Sequence, residues 1–262
     1  MATSLPDLGL SGSIAIVTGG TRGLGRAISE ALLSAGCEVA VCGRTPPESV
    51  VRAGDREARF HACDVRDASQ ARSFVDQVAE QHGRLDIVVN NAGGSPQADA
   101  ATASPRFSEA ILALNLLAPL HIAQASFKWM ANQANGGCII NVASISGTRP
   151  SPGTAVYGAA KAGLLSLTRS LAQEWGPKVR VNAVVVGLVQ TESAEATYGP
   201  PESQAAIAQS LPLKRMGCGA DVAAATLYLA STLAAYVSGA CLPVDGGGER
   251  PLFLDLVQKA RA

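Results

Sequence analysis

Residues 13–25 read SIAIVTGGTRGLG. The first six form a short apolar, β-rich run, and glycines at 19, 20, 23 and 25 follow at once. Beyond them Leu24, Ala27, Ile28, Ala31, Leu32 and Ala35 repeat with the period of an amphipathic helix, which Gly36 ends. Strand, glycine turn and helix in that order put free helix N–H groups where a pyrophosphate can rest. Gly19, Gly23 and Gly25 let the backbone turn sharply and come close to it. An isolated glycine turn is commonplace; this setting makes it a dinucleotide-binding turn.

The alternation continues outward. Apolar runs at 39–42, 59–63, 85–90, 138–142, 179–186 and 240–244 read as six further strands. Between them, Asp67-Ala68-Ser69-Gln70 offers an N-cap and a capping-box partner to a helix whose inner face is Ala71, Phe74, Val75, Val78 and Ala79. Residues 105–134 are mostly helical, with a kink or break expected at Pro119. Residues 155–174 and 220–230 supply two more helices. Strands apolar throughout and separated by helices imply an α/β, Rossmann-like doubly wound parallel sheet of about seven strands, helices on both faces. No repeat or linker divides the chain, so one domain is expected over 1–262. In it, 188–210 would form a substrate lid and 251–262 a C-terminal tail. The chemically suggestive residues Gly19, Arg44, Asp64, Asn90, Ser144 and Gly187 each follow a strand, where ligands lie in such sheets.

Composition removes several classes of function. Lys plus Arg equals Asp plus Glu, 21 against 21, so no global field recruits nucleic acid or an anionic membrane. The six cysteines include no C-x-x-C pair, which argues against a metal site and for reduced thiols. The start of the chain shows no basic-then-apolar leader, and no apolar run approaches the roughly 18 residues of a membrane helix. A soluble, cytoplasmic protein is expected.

The chemistry centres on Ser144 and on Val156-Tyr157-Gly158-Ala159-Ala160-Lys161. Tyr157 and Lys161 stand four apart, which on a helix puts them on one face. An ammonium beside a phenol favours the phenolate, so the Tyr157 pKa is expected to fall toward neutrality and suit general acid/base work. Taken singly, each residue is more often packing, surface or turn. Together, and downstream of a cofactor turn, they read as a catalytic set.

With these residues in view the sequence resembles the short-chain dehydrogenase/reductase family, and in its overall motif set 3-oxoacyl-(acyl carrier protein) reductases. The likeness rests on T-G-x-x-x-G-x-G at 18–25, Asp64, Asn90-Asn91-Ala92-Gly93, Asn115, Ser144, Tyr157-x-x-x-Lys161 and the stretch 236–247. The resemblance implies a catalytic set of Asn115, Ser144, Tyr157 and Lys161, in which Ser144 holds the substrate oxygen and Asn115 a water leading to Lys161. It implies cofactor contacts from Gly19, Thr21, Arg22, Gly23, Leu24, Gly25, Asp64, Val65, Asn91, Ala92, Gly93, Tyr157 and Lys161. Gly187, Val189 and Thr191 would meet the nicotinamide end. Where the family commonly has Pro-Gly, this chain has Val186-Gly187, which puts the stiffness of that loop in doubt.

The second strand ends Cys42-Gly43-Arg44, with no acid to hold a ribose 2′-hydroxyl. Arg44 and Arg22 together favour NADP(H) over NAD(H). The expected substrate is an apolar or ring-bearing alcohol or ketone, with a 3-oxoacyl or ring-bearing thioester as one form. The expected assembly is a homotetramer (or homodimer), with Leu252, Phe253, Leu254 and Leu256 of the tail packed on a neighbour and the Leu164, Leu165, Leu167, Leu171 stripe fitting core or interface equally. A non-catalytic dinucleotide sensor on the same fold is the alternative; such proteins usually lose the tyrosine or lysine.

Overall fold

The central stretches of continuous hydrophobicity become strands buried on both sides, the edge stretches 59–62 and 241–244 stay partly exposed, and the 3.6-period stretches become helices laid over the sheet. The computed structural model describes residues 7–260. The first six residues of the leader reading lie outside them, as do tail residues 261 and 262. In chain order the main elements are β1 (Ile14–Thr18), α1 (Gly23–Ser34), β2 (Glu38–Gly43), a small hairpin of β3 (Arg52–Ala53) and β4 (Arg56–Glu57), β5 (Arg59–Ala62), α2 (Ala68–His82) and β6 (Ile87–Asn90). Then come α3 (Pro105–Leu112), α4 (Ala118–Met130), β7 (Gly137–Ser144), α5 (Ala155–Trp175) and β8 (Val179–Val186). The chain finishes with α6 (Ala194–Tyr198), α7 (Pro201–Ser210), α8 (Gly219–Ala230), β9 (Cys241–Val244) and α9 (Leu252–Lys259).

Among the described residues, seven strands form one parallel sheet in the order β5-β2-β1-β6-β7-β8-β9. The order reverses between β1 and β6, which opens a crevice at their carboxyl ends. Period-two alternation sorts the core. Ala15 and Val17 of β1 face the side covered by α1 and α8, while Ile14 and Ile16 face α2 and α4. Fully burying one such Ile or Val is worth about 1.5–3 kcal/mol. Leu164, Leu165 and Leu171 of the α5 stripe are buried in the core.

Three expectations need correction. The irregularity near Pro119 precedes it: Ala113–Leu117 form a π-turn, and Pro119 sits in the first turn of α4, where its missing N–H is tolerated. The box at the start of α2 is not reciprocal. Asp67 caps Ser69 and Gln70, but Gln70 Oε1 accepts from the Asp64 amide instead of reaching back to Asp67 N. Finally, Pro105–Met130 is, by length and mean hydropathy, apolar enough to span a bilayer. Its inner face, Ile111, Ala118, Ile122, Ala123, Ala125 and Met130, is buried, which accounts for that composition.

Candidate active site

Backbone contact builds the floor. Gly19 and Gly23 have φ of +62° and +53°, left-handed values that glycine adopts freely. A Cβ on Gly25 would fall inside the Gly19 carbonyl oxygen and Asn91 Nδ2, so only glycine lets α1 sit this close to the turn. Asn91 ties the crevice together: Nδ2 donates to the Thr18 and Gly19 carbonyls at 2.9 and 3.1 Å, and Thr18 Oγ1 accepts the amides of Asn91 and Ala92 at 3.0 Å. The first turn of α1 has no acidic residue, and its N-cap Arg22 makes no side-chain cap. The N–H groups of that helix end, beside glycines at 19, 20, 23 and 25, fit a pyrophosphate.

At the outer end, Thr21 Oγ1 is 3.9 Å from where a Gly43 Cβ would be, so the second strand ends against the glycine turn. Arg22 and Arg44 are exposed here, and neither guanidinium has a hydrogen bond or ion pair among the described residues. Asp64 is engaged by Arg66, whose guanidinium holds its carboxyl below the usual range, with a smaller pull from Arg44. Val65 and Leu24 pack toward the core.

The catalytic candidates converge at the carboxyl end of β7. Ser144 ends that strand and runs into a 3₁₀ turn, Ile145–Gly147. This turn presses on α5 through two glycines: a Gly147 Cβ would lie 2.7 Å from the Lys161 carbonyl carbon, and a Gly158 Cβ 2.9 Å from the Ser146 oxygen. That close seat brings the Ser144 hydroxyl beside the Tyr157 phenol, near enough to influence its ionisation. Lys161 is buried, its Nζ 5.6 Å from the Tyr157 ring centroid and donating to the Val142 carbonyl at 2.7 Å. A Gly93 Cβ would stand 2.8 Å from Asn115 Oδ1 and 3.3 Å from Lys161 Nζ, so Gly93, Asn115 and Lys161 form one cluster. Asn115 is fully buried; it holds Gly94 by both amide and carbonyl and donates to the Ile111 carbonyl.

The electrostatics differ from the sequence expectation. Burial pushes the Tyr157 phenol above its ordinary value, the Ser144 hydrogen bond pulls it partly back, and nearby Tyr198 pushes it up again. Lys161 does not bring it down, because burial lowers the amine itself to about 8 and its proton is directed at Val142. The Tyr157 proton is therefore held more tightly than in water.

Val186-Gly187 keeps its place without proline. Val186 pairs with both Ser144 and Val244, and Gly187 N donates to the Val244 carbonyl at 3.0 Å. A Gly187 Cβ would lie 2.6 Å from Asp245 Cα, so glycine is required there by packing. Val189 is buried and bridges to Gly217, while Thr191 and Glu192 lie over Gly23. Sequence reading passed over Glu192, Tyr198, Arg66 and Asn141. Asn141, an amide inside an apolar strand, was the visible signal. It links Asn90 to Thr168 across the middle of the sheet at 2.9 Å on each side.

A family model described as enoyl-(acyl carrier protein) reductase matches residues 19–249. The chain belongs to the short-chain dehydrogenase/reductase family. It is 36% identical over 247 residues to D-threitol dehydrogenase of Mycolicibacterium smegmatis, covering 92% of this chain and 94% of that one. It is 35% identical to a 3alpha-hydroxysteroid dehydrogenase of Mediterraneibacter gnavus, covering 90% and 97%. The ligand-free structure of Thermoplasma acidophilum aldohexose dehydrogenase superposes with a TM-score of 0.84 at 27% identity, over 91% and 94% of the chains. As a member of this family the chain is an oxidoreductase of alcohol or carbonyl substrates that uses a nicotinamide dinucleotide.

Proposed function

We propose that this short-chain dehydrogenase/reductase is an NADP(H)-dependent carbonyl reductase/alcohol dehydrogenase in which Tyr157 is the proton donor. The observation that carries this is the Ser144–Tyr157 hydroxyl pair with buried Lys161 against the ring, beside the glycine turn. With its pyrophosphate held at that turn, the cofactor would supply the hydride for reduction or take it in oxidation. Tyr157, its proton retained by burial, gives that proton to the carbonyl oxygen. Ser144, beside the phenol, holds the same oxygen as charge builds on it. Lys161 keeps a positive charge under the ring below about pH 8, and Asn115 fixes the Gly93–Gly94 turn on which Lys161 rests.

Arg22 and Arg44, whose guanidinium groups have no ion-pair partner among the described residues, support a ribose 2′-phosphate and so NADP(H) over NAD(H). Gly19, Thr21, Gly23, Leu24 and Gly25 would form the phosphate turn, with Asp64, Val65, Asn91, Ala92 and Gly93 along the adenosine side and Gly187, Val189 and Thr191 at the nicotinamide end. Relatives named for a hydroxysteroid and for levodione support a ring-bearing alcohol or ketone as substrate. The complete Ser–Tyr–Lys set disfavours a sensor. A homotetramer in the cytoplasm is the expected form, with α9, whose Leu252, Phe253, Leu254, Leu256 and Val257 are exposed, covered by a neighbouring subunit.

The test is a panel of ring ketones, small ketones and 3-oxoacyl thioesters followed by NADPH absorbance, with Tyr157→Phe beside the wild type. Turnover falling by about 10³-fold or more with cofactor affinity kept is the expected result. Undiminished turnover in the variant would discard Tyr157 as the acid.

A further inference from the structure

Glu192 sits just past Thr191 on the loop leaving β8, yet its carboxylate reaches the first turn of α1. Its Oε1 accepts the Gly23 amide at 3.3 Å, and its Oε2 is 3.6 Å from where a Gly23 Cβ would be. Thr191 Cγ2 lies 4.0 Å from the same point. Because α1 has no acid in its own first turn and no side-chain cap, Glu192 supplies from 169 residues away the negative charge that the helix end lacks.

We propose that Glu192 is an intramolecular stand-in for the cofactor's pyrophosphate, a latch that binding must displace and that thereby sets cofactor affinity. This rests on the dinucleotide reading of the glycine turn. One amide cannot serve a carboxylate and a phosphate together, and two anions at one helix end repel. The root of the loop is pinned: Gln190 N donates to the Gly217 carbonyl, and Gly217 N to the Leu188 carbonyl, both at 2.9 Å. With the backbone anchored there, the Glu192 carboxylate can leave the Gly23 amide by rotation of its own side chain, so the latch opens without moving the strand end.

The test uses the full chain and the variants Glu192→Gln and Glu192→Ala. Calorimetric titration with NADP⁺ and NADPH should give a dissociation constant about tenfold lower for both variants than for wild type. Without cofactor, hydrogen exchange across the first turn of α1 should be faster in Glu192→Ala, which has no acceptor for the Gly23 amide. Unchanged or weaker cofactor binding in both variants overturns the latch, as does unchanged exchange at that turn in Glu192→Ala. If wild type and both variants bind neither NADP(H) nor NAD(H), the cofactor reading itself fails and the latch with it.

Discussion

Asn115 grips Gly94 at both ends, its Oδ1 accepting the amide at 2.9 Å and its Nδ2 donating to the carbonyl at 3.0 Å. A side chain in a π-turn thus fixes the loop after β6 directly beside Lys161. Removing it empties a fully buried side-chain position and takes away the partners of the Gly94 amide and carbonyl and of the Ile111 carbonyl. Asn115→Ala should cost about 2–4 kcal/mol of stability, read as a lower urea midpoint. Turnover should fall more steeply than cofactor affinity. A variant as stable and active as wild type would remove Asn115 from the site.

Lys161 gives a sign to pH dependence. Its folded-state value is depressed to about 8, from about 10.5 in the unfolded chain. Between those values the unfolded state binds more protons, so stability from this group rises with pH across that window and is flat below it. Relative to Lys161→Met, the wild type should gain on the order of 3 kcal/mol between pH 8 and pH 10.5. Denaturant melts at three pH values decide it; a wild-type stability that does not rise relative to Lys161→Met over this window contradicts a desolvated amine.

Arg44→Asp places an acid where the second strand ends and removes one of the two exposed guanidinium groups beside the glycine turn. Preference should move from NADP(H) toward NAD(H) by about 1–3 kcal/mol, on the scale of charge-assisted hydrogen bonds lost. The ratio of kcat/KM for the two cofactors measures it. An unmoved ratio assigns the 2′-phosphate to another residue.

The strands and most helices were legible because burial on both faces writes an unbroken apolar run, and an amphipathic helix writes a 3.6 period. The β3–β4 hairpin was not: Arg52, Ala53, Arg56 and Glu57 are too few and too polar to mark strands. The π-turn at Ala113–Leu117 left no trace beyond Pro119, because widened hydrogen bonding does not alter the residue pattern. The Tyr157–Lys161 pair was legible by spacing. The direction of its pKa shift was not, because spacing puts an amine near a phenol without saying that Val142 takes its proton or that both are buried.

By itself the sequence determined the layered α/β architecture, the place of the glycine turn and the spacing of the candidate residues Ser144, Tyr157 and Lys161, since all three follow from local patterns of size, polarity and spacing. Tertiary structure alone decided what those residues touch. Ser144 meets Tyr157 because two glycines let a 3₁₀ turn seat against α5, and Glu192 meets Gly23 because β8 and β1 end at the same edge of one sheet. Contacts between segments 13 to 169 residues apart depend on the closure of the sheet, and no local pattern along the chain encodes them.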